Sequence, residues 1–139
     1  MGSAQHYKVA LVVDDEVFAR LLAVQIFLDL GYIVLEAEDA QQALAVLDRN
    51  DDVGLLFTDI NMPGEMDGVG LVHHVRAERP EVCCIATSGC GSPSSDAFPG
   101  PVRFLAKPYT ALHLTEAIHC QAASRRAGGH GVDAALRAA

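Results

Sequence analysis

Apolar residues follow two alternating patterns along the chain. Short, continuous apolar runs are typical of strands buried on both faces, and five such runs occur at 8–13, 32–37, 53–58, 82–88 and 102–106. Longer segments with apolar residues at helical spacing separate the first four runs, at 17–30, 40–50 and 69–78. Gly31 and Pro80 end the first and third of these helices, and Thr110 is placed to cap a last helix that runs to about residue 126.

Strands that alternate with helices predict an α/β fold with a parallel sheet covered by helices on both faces. Right-handed crossovers favour a doubly wound, flavodoxin-like sheet with the strand order 2-1-3-4-5. The segment GCGSPSSDAFPGP (89–101) between the last two strands is rich in glycine, proline and serine. We therefore expect the fourth helix to be short or absent, with at most one turn over 94–98.

The length of 139 residues indicates one domain, which we expect to span 7–126. Residues 1–6 are interpreted as an N-terminal arm or tag remnant. The sequence AGGHG begins a tail over 127–139, which we expect to be flexible, with a short helix over 132–139 as the alternative.

Composition and charge exclude several classes of function. The net charge of −8 argues against nucleic-acid binding, which usually needs a basic surface. No apolar stretch approaches the ~20 residues of a membrane span, and the N-terminus lacks the apolar segment of a signal peptide. The four cysteines have no CxxC spacing, which argues against a zinc site or a redox dithiol. We expect a protein of the reducing cytoplasm with no membrane partner.

Three carboxylates follow two strands that are neighbours in the predicted sheet. Asp14 and Asp15 follow the first strand and Asp59 follows the third. These acids should converge at one edge and repel one another, which raises their pKa values unless a cation is shared among them. Mg²⁺ prefers oxygen ligands of this kind, so the pattern predicts a magnesium site.

Two further polar residues end the remaining strands at the same edge. Lys107 follows the fifth strand and can pair with Asp59 and with a phosphate group. Ser88, at the end of the fourth strand, can donate its hydroxyl to a phosphoryl oxygen. The set predicts that Asp59, exposed at this edge, is a nucleophile for phosphoryl transfer.

Four motifs occur in a fixed order, VVDDE (12–16), TDINMPGEMDG (58–68), ATSG (86–89) and FLAKP (104–108). With them the chain resembles the receiver (CheY-like) domain of two-component response regulators over residues 7–126. The resemblance implies a phosphorylation-dependent signalling switch, not an enzyme in the usual sense, that assists its own phosphorylation and dephosphorylation. The implied partners are a histidine kinase or histidine phosphotransfer protein and an output protein that the sequence does not identify.

The resemblance also implies a role for each site residue. Asp59 is the expected phosphoacceptor and Lys107 contacts the phosphoryl group. The expected magnesium ligands are Asp15, Asp59, the backbone carbonyl of Asn61 and, through water, Asp14. Ser88 and Phe104 are the expected switch pair, with Ser88 preferred to the adjacent Thr87 because Gly89 follows it, as in receivers with a Ser-Gly pair. Asn61 and Cys90 are expected to tune dephosphorylation.

Some features leave alternatives open. Glu65 is an extra residue in the loop after Asp59, a variant associated with receivers of hybrid histidine kinases, so the chain can be a stand-alone receiver or a domain of a longer protein. Phe104 can be an ordinary core aromatic, and Cys90 an ordinary loop residue or a redox-sensitive thiol. Gly64 and Gly68 are expected to adopt backbone angles that other residues resist.

Two other functions compete with the switch. A pseudo-receiver would have the same fold and bind partners without phosphorylation. A phosphohydrolase of the haloacid dehalogenase type also uses an aspartate nucleophile on a parallel sheet. That family needs a second aspartate two residues after the nucleophile, where this chain has Asn61.

Overall fold

The computed structural model describes residues 8–89 and 102–128, with side chains up to residue 119. Strands and helices alternate up to β4, and β4, β5 and α4 follow in chain order. The elements are β1 (Val9–Val13), α1 (Val17–Asp29), β2 (Ile33–Ala37), α2 (Ala40–Arg49), β3 (Leu55–Asp59), α3 (Gly68–Glu78), β4 (Cys83–Ser88), β5 (Arg103–Ala106) and α4 (Ala111–Gly128).

The five strands form one parallel sheet in the order β2-β1-β3-β4-β5, which confirms the predicted topology. The central strands β1 and β3 are buried along their whole length, as continuous apolar runs require. In the register, Asp59 lies opposite Thr87 and Ser88 lies opposite Ala106. The ends of β1, β3, β4 and β5 therefore meet at one edge, called here the carboxyl rim.

Each face of the sheet has its own apolar core, because successive side chains of a strand point to opposite faces. Leu11 and Val13 of β1 pack with α2 and α3 on one face. Ala10 and Val12 pack with α1 and α4 on the other face. On this second face, Phe57 meets the rings of Phe27 and Tyr109 edge to face, with centroids 5.8 Å apart in both pairs.

Helix α1 is apolar on its outer surface as well as its inner one. It buries Ala23, Ile26 and Phe27 against the sheet. Phe18 is 87% exposed and Leu22 is 51% exposed, although both fall at helical spacing with buried residues. Periodicity therefore predicts this helix correctly, but it does not tell which of the apolar positions face the core.

The last helix begins as expected, with the backbone N–H of His113 donating to the Thr110 hydroxyl at 3.1 Å. Among the described helices, none is long and apolar enough to cross a membrane. The expected short fourth helix over 94–98 lies outside the described residues. So does the expected tail over 127–139, except for its first two residues, which continue α4 to Gly128.

Candidate functional site

Asp59 lies at the carboxyl rim but is buried, with 6% of its surface exposed. Its Oδ2 pairs with Lys107 Nζ at 3.1 Å, and its Oδ1 accepts the backbone N–H of Asn61 at 3.0 Å. The expectation that Asp59 is exposed is therefore wrong. The lysine and the loop after β3 cover the carboxylate, and that loop is anchored by Met62 and Met66, which pack against the core.

The two acids after β1 differ in their surroundings. Asp14 is buried, its Oδ2 pairs with Lys107 Nζ at 3.0 Å, and its Oδ1 accepts the backbone N–H of Glu16 at 2.9 Å. Asp15 is exposed. One carboxylate oxygen from each of Asp14, Asp15 and Asp59 lies within 4.8 Å of the others. Hard oxygen donors at this spacing fit a divalent cation such as Mg²⁺.

Burial and pairing have opposite effects on the charges of this site. Burial raises the pKa of Asp14, and the N–H of Glu16 and the charge of Lys107 only partly offset it. Burial lowers the pKa of Lys107, but its bonds to Asp14 and Asp59 outweigh that effect and leave this pKa raised. Lys107 is therefore held as a cation between the two acids, while burial disfavours the charged form of Asp14.

The two adjacent hydroxyls of β4 have different environments. Ser88 Oγ accepts a hydrogen bond from the Asn61 side-chain amide at 2.7 Å, and its backbone carbonyl accepts the N–H of Lys107 at 2.9 Å. Thr87 Oγ1 is buried and has no hydrogen-bond partner among the described residues. The pleat turns the two side chains to opposite faces, so the hydroxyl of Ser88, and not that of Thr87, contacts the loop that follows Asp59.

The two glycines of the loop after Asp59 are needed for different reasons. Gly64 has a positive φ of 108°, as expected from the sequence. Gly68 has no positive φ, so that reason is wrong for this position. A Cβ at Gly68 would overlap the carbonyl oxygen of Asp59 and lie 2.5 Å from Ile60 Cα. The first residue of α3 is thus pressed against the backbone of Asp59.

The other residues singled out from the sequence lie farther from the acids or outside the described chain. Phe104 is half-buried in β5 and lines a cleft of about 320 Å³ between β5 and α4. Cys90 lies outside the described residues.

Two residues near the rim were missed from the sequence. Arg20 of α1 donates to the backbone carbonyl of Asp14 at 2.8 Å. Tyr109 lies under the rim, and burial raises its pKa to about 12. The sequence did give an indication for Arg20, since it is the single charged residue between Val17 and Leu28. Tyr109 had none beyond its place two residues after Lys107.

Residues 10–119 match the family described as the response regulator receiver domain. This chain belongs to that family. The receiver is 38% identical over 112 residues to a chemotaxis protein CheY homologue of Campylobacter jejuni, covering 76% of this chain and 85% of that protein.

Two solved structures have the same fold as this receiver. The CheY-like receiver domain protein of Methanospirillum hungatei superposes with a TM-score of 0.77 at 26% identity, covering 88% of this chain and 98% of that one. The receiver domain of NtrX from Brucella abortus gives a TM-score of 0.72 at 32% identity, with 81% and 96% covered. Receivers of this family are phosphorylation-based signalling proteins of two-component systems, not classical enzymes.

Proposed function

We propose that this receiver accepts a phosphoryl group on Asp59 in a magnesium-dependent reaction and thereby changes its binding to an output protein. The proposed donor is a histidine kinase or histidine phosphotransfer protein. The observation that carries the proposal is the arrangement around Asp59. Its Oδ2 pairs with Lys107, and one of its carboxylate oxygens lies within 4.8 Å of an oxygen of Asp14 and of Asp15.

In the proposed reaction, a carboxylate oxygen of Asp59 bonds to phosphorus as the bond from phosphorus to the donor's imidazole nitrogen breaks. The nitrogen leaves with the electron pair and takes up a proton. Lys107 already pairs with Asp59 and would pair with an oxygen of the incoming phosphoryl group. The N–H of Asn61 holds the second carboxylate oxygen, so the nucleophile keeps one orientation. These groups let the receiver assist its own phosphorylation and, with water as the nucleophile, its dephosphorylation.

The proposed magnesium ligands are Asp15, Asp59 and the backbone carbonyl of Asn61, with Asp14 acting through water. The bound ion would neutralise charge on the carboxylates and on the phosphoryl oxygens. The spacing of the three acids supports this assignment. Lys107 alone leaves the rim acidic, since one cation faces three carboxylates.

Ser88 and Phe104 are the proposed switch. The Ser88 hydroxyl would donate to a phosphoryl oxygen, and the hydrogen bond that it now accepts from the Asn61 amide would then lengthen or break. Because β4 and β5 are paired through Ser88 and Ala106, a shift of this hydroxyl can reach β5 and Phe104. Asn61 and Cys90 stay proposed tuning residues, and the domain bounds 7–126 and the cytoplasmic location stay predictions.

The direct test is intact mass after incubation with acetyl phosphate. We expect a single phosphoryl adduct on the wild-type protein that needs Mg²⁺ and is absent in Asp59→Asn. Asp67→Asn is the matched control, because Asp67 lies in the same loop but caps α3 by accepting the N–H of Gly70 at 2.9 Å. An asparagine oxygen can make the same cap, so this variant should be labelled like wild type.

Two outcomes would replace the proposal. If the wild-type protein gives no adduct even after acid quench, the chain is a pseudo-receiver that binds partners without phosphorylation. If it hydrolyses a generic phosphate ester over many turnovers, it is a phosphohydrolase, despite the asparagine at position 61.

A further inference from the structure

Arg20 connects three separate parts of the receiver. Its Nη1 donates to the backbone carbonyl of Asp14 at 2.8 Å, and its Nε pairs with Glu36 Oε1 at 3.0 Å. Asp14 begins the acidic loop after β1, Glu36 lies in β2, and Arg20 itself lies in the first turns of α1. The Arg20 side chain is 12% exposed, whereas that of Glu36 is 44% exposed, so the contact with the Asp14 carbonyl is the more sheltered of the two.

The helix does not explain why an arginine stands there. The amino end of a helix carries partial positive charge, which disfavours a cation. The neighbouring residues of α1 are apolar, and a charge withdrawn from water needs partners. The contacts that meet this need come from the acidic loop and from β2, not from the helix.

The bond from Arg20 completes the fixation of Asp14. The N–H of Asp14 donates to the carbonyl of Ala37 at 3.2 Å, and its Oδ1 accepts the N–H of Glu16 at 2.9 Å. Arg20 holds the carbonyl, which is the group through which the chain continues to Asp15. Loss of this bond would free the Asp14–Asp15 peptide unit while the strand below it stayed in place.

We propose that Arg20 is a positioning residue: it fixes the acidic loop in the geometry that binds the divalent cation before the cation arrives. The inference rests on the function proposed above. It concerns a residue that touches neither the phosphoryl group nor the metal, since Arg20 acts through the backbone of Asp14 and through Glu36.

The chain contains a second arginine with the same kind of contacts at the other end of the molecule. Arg79 donates from Nη1 to the backbone carbonyl of Leu47 at 3.0 Å, and its Nε lies 3.7 Å from Glu81 Oε2. Its side chain is 18% exposed. Arg79 ends α3 and therefore lies at the amino end of the sheet, away from the acids. It is a matched control for the loss of one sheltered arginine.

The experiment compares Arg20→Met with Arg79→Met, since methionine keeps an unbranched apolar stem. Calorimetric Mg²⁺ titration should show a dissociation constant raised about 10-fold in Arg20→Met and unchanged in Arg79→Met. In the metal-free proteins, hydrogen exchange at the Glu16 amide should accelerate only in Arg20→Met. Labelling by acetyl phosphate should be restored in Arg20→Met by saturating Mg²⁺, because Asp59 and Lys107 are intact.

Equal changes in the two variants, or no change in either, would overturn the proposal. Should Arg20→Met fail to fold, Arg20→Lys replaces it. Lysine keeps the charge, but its single ammonium group cannot reproduce the contacts of the guanidinium with both the Asp14 carbonyl and Glu36. Weaker Mg²⁺ binding in Arg20→Lys supports the proposal, and wild-type binding refutes it. Absence of a phosphoryl adduct on the wild-type protein would instead refute the proposed function, and the Mg²⁺ titrations would still decide the role of Arg20.

Discussion

Phe57 and Asp59 lie two residues apart on β3 and are almost equally buried, at 1% and 6% exposure. Their side chains point to the same face of the sheet. Phe57 is surrounded by the rings of Phe27 and Tyr109, whereas Asp59 is surrounded by an ammonium group and a backbone N–H. Burial therefore serves stability at Phe57 and, in the function proposed above, chemistry at Asp59. What separates the two roles is the kind of partner atom, not the degree of exposure.

The largest expected effect is on stability and concerns Phe57. Phe57→Ala should lower the free energy of unfolding by about 3–5 kcal/mol, because it empties the space between two aromatic neighbours. Phe18→Ala removes an equal side chain that is 87% exposed and should change stability by less than about 0.5 kcal/mol. Chemical denaturation measures both, and equal losses would contradict the assignment of Phe57 to the core.

The residues at the rim predict an effect on the rate of labelling. Lys107→Met should slow labelling by acetyl phosphate about 10²–10³-fold, because the ammonium group that pairs with Asp59 is lost. The chain has one other lysine, Lys8, whose Nζ lies 5.4 Å from the centre of the Tyr32 ring near the amino end of the sheet. Lys8→Met should be labelled at the wild-type rate. A similar slowing in both would mean that net charge, not position, controls the reaction.

Gly68 lies where rim and interior meet, so a change there should affect both properties. Gly68→Ala should cost about 1–3 kcal/mol of stability and weaken Mg²⁺ binding, because the added methyl group displaces the backbone of Asp59. Gly54→Ala meets nothing within 4 Å and serves as the control, with little change in either property. Thermal unfolding and Mg²⁺ titration are the measurements. Wild-type behaviour of Gly68→Ala would show that the loop moves aside freely.

The last prediction concerns pH and belongs to Tyr109, which lies between core and rim. Its pKa in the folded protein is about 12, against an ordinary value of 10.0. Between about pH 10 and pH 12 the unfolded chain releases this proton and the folded protein retains it, so stability should fall as pH rises through this range. Tyr109→Phe should lack that part of the decline. Phenolate absorbance follows the ionisation, and ionisation of Tyr109 near pH 10 would contradict its burial.

Much of the fold could be predicted from the sequence because the strand and helix patterns are distinct. Continuous apolar runs such as VALVV in β1 indicate a strand covered on both faces, and a parallel sheet brings the ends of β1 and β3 together. That geometry is why the convergence of Asp14, Asp15 and Asp59 could be anticipated. The strand order could be predicted without knowing how the side chains pack.

The parts that could not be predicted depend on how side chains fill space. The burial of Asp59 results from Lys107 and from a loop anchored by two methionines, and neither is a periodic signal. The turn of Arg20 towards the carbonyl of Asp14 is a choice of rotamer. The reason for Gly68 is a close approach between α3 and β3, whereas the sequence suggested only an unusual backbone angle.

The parallel order of the sheet also has a consequence in time. No two strands of the described sheet form a hairpin, so every strand pair must close over a whole crossover connection. Such non-local closures are slow compared with the formation of helices and hairpins. Asp14, Asp59 and Lys107 follow or end strands one, three and five, and they meet only when β1, β3, β4 and β5 have paired. In a refolding experiment, the ability to be labelled by acetyl phosphate should therefore appear after helical structure has formed, and would report that the last strand has docked.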